Sequence, residues 1–457
     1  MRLRSRRCVT ADHTKKRWRS AKDSQAPTQA RKTIIMPIET RKPDAEYPLA
    51  ISPSAASPLS CEVEAALLTG GQDRHYAFGL AMSLIEAGVY LDVIGGDEVD
   101  VPEMHATTGL KYFGLRESQK RDAGFMEKAV RVLKYYARLV LYSASAKPKL
   151  FHILWNNKFE YFDRTVLMCY YKLLGKKVAL TAHNINAKKR DLCDTWLNRL
   201  TLRVQYKMAD CIFVHTEAMK REIVTEFEIS EDAVTVIPYG INNAVPNTDL
   251  TPMEAKRRLG LRGGSKTILF FGAIAPYKGL DLLVDAFRHL ATCDASYRLI
   301  IAGMPKEKGG DYLPGIQRTI SDMDTPEQII QEISYIPDDE MEIYFKAADL
   351  LVLPYREIFQ SGVFFLGYSF GLPVVATDIG SFREDVVEGE TGFLCRPNDP
   401  GDLAKSIEKY FTSELYRQLD IRRQNIQEYA KARHGWDEVA AITRGAYGDM
   451  LGLERRS

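Results

Sequence analysis

The fold is decided by residues 355–397, which read YREIFQSGVFFLGYSFGLPVVATDIGSFREDVVEGETGFLCRP. An apolar run at 350–353 precedes this stretch, and a β-branched run at 374–377 lies inside it, after Gly371 and Pro373. A buried strand, a polar loop, an apolar helix and a second strand, in that order, are typical of a parallel α/β sheet. We therefore expect a strand–loop–helix–strand unit here.

Ser361 and Gly362 stand where the helix of this unit is expected to begin. Unpaired backbone N–H groups and the positive end of the helix dipole coincide at a helix start, so the position favours a bound phosphate. A hydroxyl beside a glycine lets such a phosphate approach the backbone closely. The same residues also fit a simple helix cap and turn. This segment alone leaves both interpretations open.

Composition and charge limit the possible functions of the chain. The 457 residues are 45% hydrophobic, which is enough for two or three domains. Residues 1–42 carry 13 Lys and Arg against 3 Asp and Glu, which leaves 49 basic and 57 acidic residues in the remainder. The acidic remainder predicts no binding of nucleic acid. The 7 cysteines are scattered without a CxxC pair, which predicts reduced thiols in a cytoplasmic protein.

Two basic regions lie outside the predicted sheets. Residues 1–60 are basic and then rich in Pro, Ser and Ala, which predicts a disordered extension. Anionic lipid would attract this segment, but we favour an upstream extension of the reading frame as its origin. A helix predicted at 126–142 has a basic stripe beside its apolar face, and it fits either a membrane surface or a solvated helix face. The stripe consists of Lys128, Arg131, Lys134 and Arg138.

A first α/β series begins with a strand at 65–68, and Gly70 and Gly71 follow that strand. Paired glycines at a helix start let backbone amides approach a ligand, and a tight turn is the alternative. Two later strands end just before His183 and His215. Because open α/β sheets bind ligands at the carboxyl ends of their strands, we interpret His183 as a hydrogen-bonding partner of a substrate hydroxyl. A structural cap is the alternative for His183, and we expect His215 to be structural.

A polar stretch at 242–248 is predicted to link this series to a second one. In the second series, a strand at 267–271 leads through Gly272 to Lys278, which lies in a glycine-flanked loop before a helix. A lysine in such a loop can meet a phosphate as a point charge, reinforced by the helix start. We expect a further short strand at 333–336. The two series predict an α/β protein with two Rossmann-like domains that face each other across a cleft.

Several motifs occur in a fixed order along the chain. They are TGGQDRHY (69–76), TAHN (181–184), VIPYGI (236–241), FFGAIAPYKGLDLLVDAF (270–287), IIAG (300–303), YFKAADLLVLPY (344–355), GLPVVATDIGSFREDV (371–386) and GETGFL (389–394). Each motif is unspecific alone, but their order and spacing from Thr69 to Tyr447 resemble the retaining glycosyltransferases of the two-domain GT-B type, family 4. The closing Trp436-Asp437-Glu438-Val439 resembles the terminal helix of that family, which crosses back to the first domain.

The resemblance implies transfer of a sugar from a nucleotide diphosphate sugar to a glycan or lipid-linked acceptor, with retained configuration and without a metal or other cofactor. It implies catalytic roles for His183, Lys278 and Glu357. The implied donor-binding residues are Gly71, Gly272, Lys278, Tyr335, Ile336, Glu357, Ser361, Gly362 and Val363. The implied domains are a disordered basic extension at 1–60, an acceptor domain at 61–245, a nucleotide-sugar donor domain at 246–432 and a crossing helix at 433–457.

The sequence departs from the family pattern at two places. Where the family often has two glutamates with seven residues between them, this chain has Ile358 and Leu366, with Glu357 one residue away from the first position. An arginine that commonly accompanies the loop lysine is replaced by Ala273 or Ala275. Three other cations are candidates to compensate for it, namely Arg74, Arg356 and Arg383.

The overall expectation is a cytoplasmic enzyme, with possible peripheral contact to an anionic membrane surface. Two other functions stay open at this point. One is a nucleotide-sugar 2-epimerase on the same fold. The other is a binding subunit that kept the fold and lost turnover, which the missing glutamate and arginine would allow.

Overall fold

The structure is a computed structural model that describes residues 63–97, 99–116, 125–190, 193–241, 245–306 and 310–453. The extension predicted at 1–60 lies outside the described residues, as do residues 242–244 of the predicted linker. Two parallel sheets organise the described residues, each with helices packed around it.

The first sheet is ordered β3-β2-β1-β4-β5-β6-β7, and all of these neighbouring strands pair in parallel. Its strands are β1 Val63–Leu68, β2 Val89–Gly95, β3 Leu110–Gly114, β4 Leu150–Ile153, β5 Lys177–Thr181, β6 Cys211–Val214 and β7 Val234–Val236. Strands β4 and β6 are buried along their whole length, as expected for a sheet covered on both faces.

Three of the helices that accompany the first sheet begin at a capping side chain. Asp73, Thr195 and Thr216 each accept a hydrogen bond from the first turn of the helix that follows, which fixes where α1, α7 and α8 below begin. The helices are α1 Arg74–Glu86, α2 Pro102–Ala106, α3 Phe125–Ser145, α4 Glu160–Phe162, α5 Met168–Leu173, α6 Ala187–Arg190, α7 Trp196–Met208 and α8 Glu217–Phe227, with a π-helical turn Asp163–Leu167 between α4 and α5.

The second sheet is ordered β10-β9-β8-β11-β12-β13 and is also parallel. Its strands are β8 Lys266–Phe271, β9 Tyr297–Ala302, β10 Ile329–Glu332, β11 Leu350–Leu353, β12 Val374–Thr377 and β13 Gly392–Cys395. The helices of this half are α9 Pro252–Arg258, α10 Leu280–Cys293, α11 Tyr312–Ser321, α12 Asp338–Ala347, α13 Gly362–Ser369, α14 Phe382–Asp385, α15 Pro400–Thr412, α16 Glu414–Arg417, α17 Leu419–His434 and α18 Trp436–Leu451.

The strand expected at 333–336 was wrongly placed. The strand is Ile329–Glu332, because Ile329 and Ile330 pair with Leu299 and Ile300 of β9. The ladder ends when the Gly303 amide donates to the Glu332 carbonyl at 2.9 Å. The isoleucine that follows at 336 is nevertheless buried, so its apolar character reflects core packing from a loop.

The last helix, α18, packs against α1 of the first half although it follows the second sheet in sequence. The indole of Trp436 fits between Gly79 and Gly240, where any added Cβ would overlap the ring. Its Nε1 donates to the Ile241 carbonyl at 2.8 Å. Further along the helix, the Tyr447 hydroxyl lies 2.6 Å from Nδ1 of buried His152. These contacts fasten the end of the described chain onto the first sheet.

His152 is a buried, neutral histidine at the centre of that contact. Its Nε2 lies 2.7 Å from the Thr181 hydroxyl, so both ring nitrogens have hydroxyl partners. Burial lowers the pKa of His152 to about 3.

None of the helices in the described part of the chain is long and apolar enough to cross a membrane.

We predict that Gly240→Ala lowers the free energy of unfolding by about 1–3 kcal/mol, because the new methyl group overlaps the Trp436 indole. Urea unfolding would measure the loss. Gly445→Ala is the matched control, since an added Cβ there meets nothing within 4 Å and alanine favours the helix. Equal effects of the two substitutions would contradict the close packing of the Trp436 indole against Gly240.

We predict that acid stability depends on His152. Its folded-state pKa of about 3 lies below the ordinary value of 6.5, so the unfolded chain binds the extra proton first. The contribution of His152 to the free energy of unfolding is therefore lost as pH falls from 6.5 towards 3, by up to about 1.4 kcal/mol per pH unit. His152→Gln, which does not titrate, should reduce the pH dependence of unfolding between pH 6 and 4 by the contribution of this one group, while the lowered pKa values of His183 and His215 maintain the rest. His105→Gln, at an exposed position, should not.

Candidate active site

The loops that follow β8 and β11 meet at the centre of the second sheet. Gly279 has a φ of +66°, and a Cβ added there would overlap the carbonyl oxygen of Pro354, just after β11. Strands β8 and β11 are neighbours, but the chain continues from β8 to β9 on one side of this pair and from β11 to β12 on the other. Open α/β sheets form their ligand crevices at such a point. The loop backbones can approach this closely because a glycine occupies the contact.

Lys278 lies in this loop and faces the end of β8. It belongs to the turn Pro276–Lys278 and is 7% exposed. A Cβ built at Gly272 would lie 3.2 Å from its Nζ, so the glycine leaves the space that the ammonium occupies. The Nζ also lies 5.2 Å from the centre of the Tyr355 ring.

The first turn of α13 forms the other side of the same space. The Ser361 hydroxyl accepts from the Phe364 amide at 3.4 Å, so Ser361 is the predicted helix cap. A Cβ at Gly272 would lie 3.1 Å from Cγ2 of Val363, which places that side chain beside the lysine ammonium. The capping role thus coexists with a place next to Lys278.

The first half of the chain forms the opposite wall. A Cβ at Gly362 would lie 3.5 Å from the Tyr239 hydroxyl and 3.7 Å from Oδ2 of Asp73. Asp73 caps α1 by accepting from the His75 and Tyr76 amides at 3.0 and 3.1 Å, and its other oxygen accepts from the Tyr239 hydroxyl at 3.2 Å. Burial raises the pKa of Tyr239, so this hydroxyl stays protonated and donates.

Together these walls enclose a cavity of about 320 Å³ between the two sheets. Lys278, Ser361, Gly362 and Val363 line it from the second half. Its remaining lining includes Asp73, His75, Tyr76, Tyr239 and Gly240 from the first half and Trp436 from α18. A compact positive group therefore faces the cavity beside a helix start, the arrangement that binds phosphate.

Ion pairs also join the two halves beside this cavity. The guanidinium of Arg74 lies 2.6 Å from the Asp338 carboxylate, and Nε2 of His75 lies 3.3 Å from it. The hydrogen bond from His75, helped by the charge of Arg74, lowers the pKa of Asp338. Pro337 holds the N-cap position of α12, and Asp338, in the first turn of that helix, reaches across the cleft to Arg74.

The three arginines suggested as replacements for the family cation all contact carboxylates. Arg74 pairs with Asp338 as described. Arg356 donates to both oxygens of Asp281 at 2.8 and 2.5 Å. The third, Arg383, donates to both oxygens of its near neighbour Asp378 at 2.6 and 2.9 Å. Each of these three positive charges is thus balanced by a carboxylate. Among the described residues that line the cavity of about 320 Å³, Lys278 is the cation.

His183 belongs to a group of packed aromatic rings in the first half of the chain, with Tyr76, Trp155 and His215. Its ring stacks on Trp155 at 4.2 Å, and its Nδ1 lies 3.0 Å from Nε2 of His215. Burial lowers the pKa of both histidines, that of His215 to about 4, so both are neutral. Because Nδ1 of His215 faces the Ile237 carbonyl at 3.3 Å, it carries the proton, and its Nε2 accepts from His183. Nε2 of His183 is therefore a buried acceptor, without a hydrogen-bond partner in the described structure.

The other predicted site residues occupy different surroundings, and their roles stay predictions. Gly71 lines a second cavity of the cleft, described below. Glu357 is exposed and does not belong to the lining of the smaller cavity. Tyr335 is 60% exposed and Ile336 is 5% exposed, in the loop after β10. His183 lies beneath Tyr76, with ring centres 4.6 Å apart, and is likewise outside the lining of that cavity.

Sequence reasoning missed Asp73, Tyr239 and Trp436 as wall residues. Asp73 could have been found as a capping residue directly before a helical pattern, and Tyr239 as a side chain just beyond a strand end. The place of Trp436 depends on packing between segments far apart in the chain. Sequence reasoning also overlooked three possible metal ligands within 4.8 Å of one another on the surface, His289, Cys293 and Glu408, to which we assign no role.

Comparison with known families agrees with this architecture. The family described as "Glycosyltransferase Family 4" matches residues 69–245, and "Glycosyl transferases group 1" matches residues 253–433. Together they span both sheets and most of the chain. The protein therefore belongs to family 4 of the glycosyltransferases with the GT-B fold.

Curated relatives are similar over part of their length. The chain is 26% identical over 286 residues to a D-inositol 3-phosphate glycosyltransferase of Corynebacterium aurimucosum, covering 60% of this chain and 66% of the relative. It is 29% identical over 254 residues to the enzyme of that name from Stackebrandtia nassauensis, covering 53% of this chain and 55% of the relative.

Solved structures share the fold at lower identity. A sucrose-phosphate synthase from Thermosynechococcus elongatus superposes with a TM-score of 0.68 at 18% identity, over 86% of this chain and 100% of that one. Anabaena HepE in complex with UDP-glucose gives 0.65 at 17% identity, over the same shares. These likenesses establish the GT-B fold.

Proposed function

We propose that this protein is a retaining glycosyltransferase that moves a sugar from a nucleotide diphosphate sugar to a glycan or lipid-linked acceptor. The observation that carries the proposal is the meeting of the Lys278 ammonium and the first turn of α13 at one cavity between the two sheets. A diphosphate bound there would receive a point charge and backbone N–H groups together.

The donor would extend to both sides of this diphosphate. Its base would lie near the backbone of Tyr335 and Ile336, and its sugar would point towards Gly71 and the first sheet. Nε2 of His183 has no hydrogen-bond partner in the described structure, which supports a role for His183 in accepting a hydrogen bond from a sugar hydroxyl. That nitrogen is buried here, so contact with a sugar requires Tyr76 or Trp155 to move.

The lining suits catalysis by stabilisation of the leaving group. Among its described residues Asp73 is the carboxylate, and its oxygens already accept from two amides and a hydroxyl. We therefore propose that the acceptor oxygen bonds to the anomeric carbon as the bond from that carbon to the diphosphate breaks on the same face. The electron pair leaves with the diphosphate, which also takes the hydroxyl proton, and Lys278 stabilises the developing charge without a metal.

The comparisons do not favour the epimerase alternative, because the relatives are named as transferases. The name of those relatives supports a small phosphorylated or hydroxyl-bearing acceptor, and HepE was solved with UDP-glucose. UDP-glucose is therefore the first donor to test. A binding subunit without turnover would bind the donor but release no nucleoside diphosphate with any acceptor.

We also propose that one face of the first half lies on an anionic membrane surface. Helix α5 contacts α3, since the Tyr170 hydroxyl donates to the Val140 carbonyl at 3.0 Å, and it also packs against α7. In the π-helical turn just before α5, Arg164 donates to Asn198 of α7 at 2.8 Å. Exposed apolar side chains on α3, α5 and α7 are Met126, Leu133, Leu141, Leu173, Trp196 and Leu200. The exposed Lys134 and Arg138 accompany them on α3. Apolar side chains beside basic ones support binding at a lipid interface.

We predict that Lys278→Ala lowers kcat/KM for the donor by about 10- to 100-fold, since a charge-assisted hydrogen bond is worth roughly 1.5–3 kcal/mol. Because the charge matters most as the diphosphate departs, kcat should fall as well as KM rise. Release of nucleoside diphosphate from UDP-glucose and other donors, with an acceptor extract, would measure both. Lys405→Ala, at an exposed position of the same half, is the control. Unchanged kinetics in Lys278→Ala would refute the assignment.

We predict that the protein sediments with vesicles that contain phosphatidylglycerol and not with vesicles of phosphatidylcholine alone. Trp196→Ser with Leu200→Ser should abolish this binding, whereas Met253→Ser, which removes a 75% exposed apolar side chain from the second half, should not. Binding should also weaken in 0.5 M salt because screening shortens the reach of surface charges. Equal sedimentation of all variants would disprove the docking face.

A further inference from the structure

A second, larger cavity of the cleft lies against the first sheet. Its volume is about 1110 Å³. It is lined by the loop after β1 with Gly70 and Gly71, by α3, and by Asn156 and Asn157 after β4. Asp73 lines this cavity and also the smaller one, so the two spaces adjoin at the first turn of α1.

Cationic side chains outnumber carboxylates among the described residues of this lining. Four cationic side chains line the cavity, namely Arg116, Lys128, Arg131 and Lys158. The described part of the lining also contains two carboxylates, Asp73 and Glu160. Asp73 caps α1 and accepts from Tyr239, and Glu160 lies 3.0 Å from Arg164 and 3.3 Å from Lys188. This positive lining stands in a chain whose residues after position 42 are acidic overall.

Part of the positive lining is held in position by polar and aromatic contacts. Nη2 of Arg116 donates to Oδ1 of Asn157 at 2.8 Å, and the Tyr135 hydroxyl donates to the same oxygen at 2.6 Å. The guanidinium lies 5.0 Å from the centre of the Tyr135 ring. The Asn157 amide in turn donates to Asp163 at 2.6 Å, which ties the group to the π-helical turn. A guanidinium restrained in this way loses little freedom when an anion binds.

The cavity also changes the interpretation of the basic stripe on α3. Its first two members, Lys128 and Arg131, line the cavity. The next two, Lys134 and Arg138, are exposed and lie outside the lining. The stripe therefore divides into a cleft-facing part and an outer part along one helix.

We propose that the acceptor of this enzyme carries a phosphate or diphosphate group, and that Arg116, Lys128, Arg131 and Lys158 bind this group in the larger cavity. The proposal rests on the proposed function, because it names the acceptor class of the same cleft. An acceptor anchored by its anionic group in the larger cavity would present a hydroxyl at the boundary near Asp73, where the donor sugar arrives. The phosphate could belong to a soluble phosphate ester or to a lipid diphosphate, and both present the same chemistry to the four cations.

The test measures binding by calorimetry in the Lys278→Ala protein, where the donor diphosphate has lost its cation. The probes are inorganic phosphate, glucose 6-phosphate against glucose, and a short polyprenyl diphosphate against the polyprenol in mixed micelles. Each phosphorylated probe that binds should do so at least about tenfold more tightly than its unphosphorylated partner. The pair with the larger ratio identifies a soluble or a lipid acceptor.

Variants locate the site. Lys128→Gln with Arg131→Gln should weaken phosphate binding about tenfold or more, and Arg116→Lys should weaken it less. Lys134→Gln, on the same helix outside the lining, should leave it unchanged. In the protein with Lys278 intact, none of these substitutions should alter the affinity for UDP, which separates this proposal from the donor assignment. Absence of phosphate binding, equal binding of both members of each pair, or full binding by the double variant would overturn the proposal.

Discussion

Close contact between backbones at the ends of the central strands of the second sheet fixes the rest of the site. Gly279 lies against the Pro354 carbonyl, and Gly303 lies against the carbonyl of Gly272, so that a Cβ at either position would overlap an oxygen. Side chains are excluded from these contacts, and the loops after β8, β9 and β11 converge as a result. Lys278 and the start of α13 come together because the loops carrying them cannot separate without opening these contacts.

The regular parts of this fold follow from local sequence patterns. Buried apolar runs, glycines after strands and the cap at Ser361 are local signals, and they predicted the parallel α/β architecture and the helix start. The strand at Ile329–Glu332 was missed because a neighbouring apolar stretch, whose last residue Ile336 is buried from a loop, has the same local character. Pairing with β9 decides between the two, and pairing is not visible in a local pattern.

The cleft itself could be predicted only in part. Lys278, Ser361, Gly362 and Val363 were predicted because each follows a strand of the second sheet, and all four line the smaller cavity. The opposite wall depends on contacts between distant segments, such as Asp338 with Arg74. The cationic lining of the larger cavity likewise comes from separate loops and one helix, whose approach is set by the first sheet. A charge pattern on α3 was visible in the sequence, but its division between cleft and surface was not.

The place of α18 has a consequence for how the protein is made. The groove between Gly79 and Gly240 is formed by segments that precede the second sheet in the chain, while the indole that fills it belongs to a helix that follows that sheet. During synthesis the nascent first half therefore keeps an unfilled apolar groove until the whole second half has emerged. Folding of the two halves is thus coupled in time as well as in space, and a chaperone that shields that groove would act on the growing polypeptide rather than on the finished one.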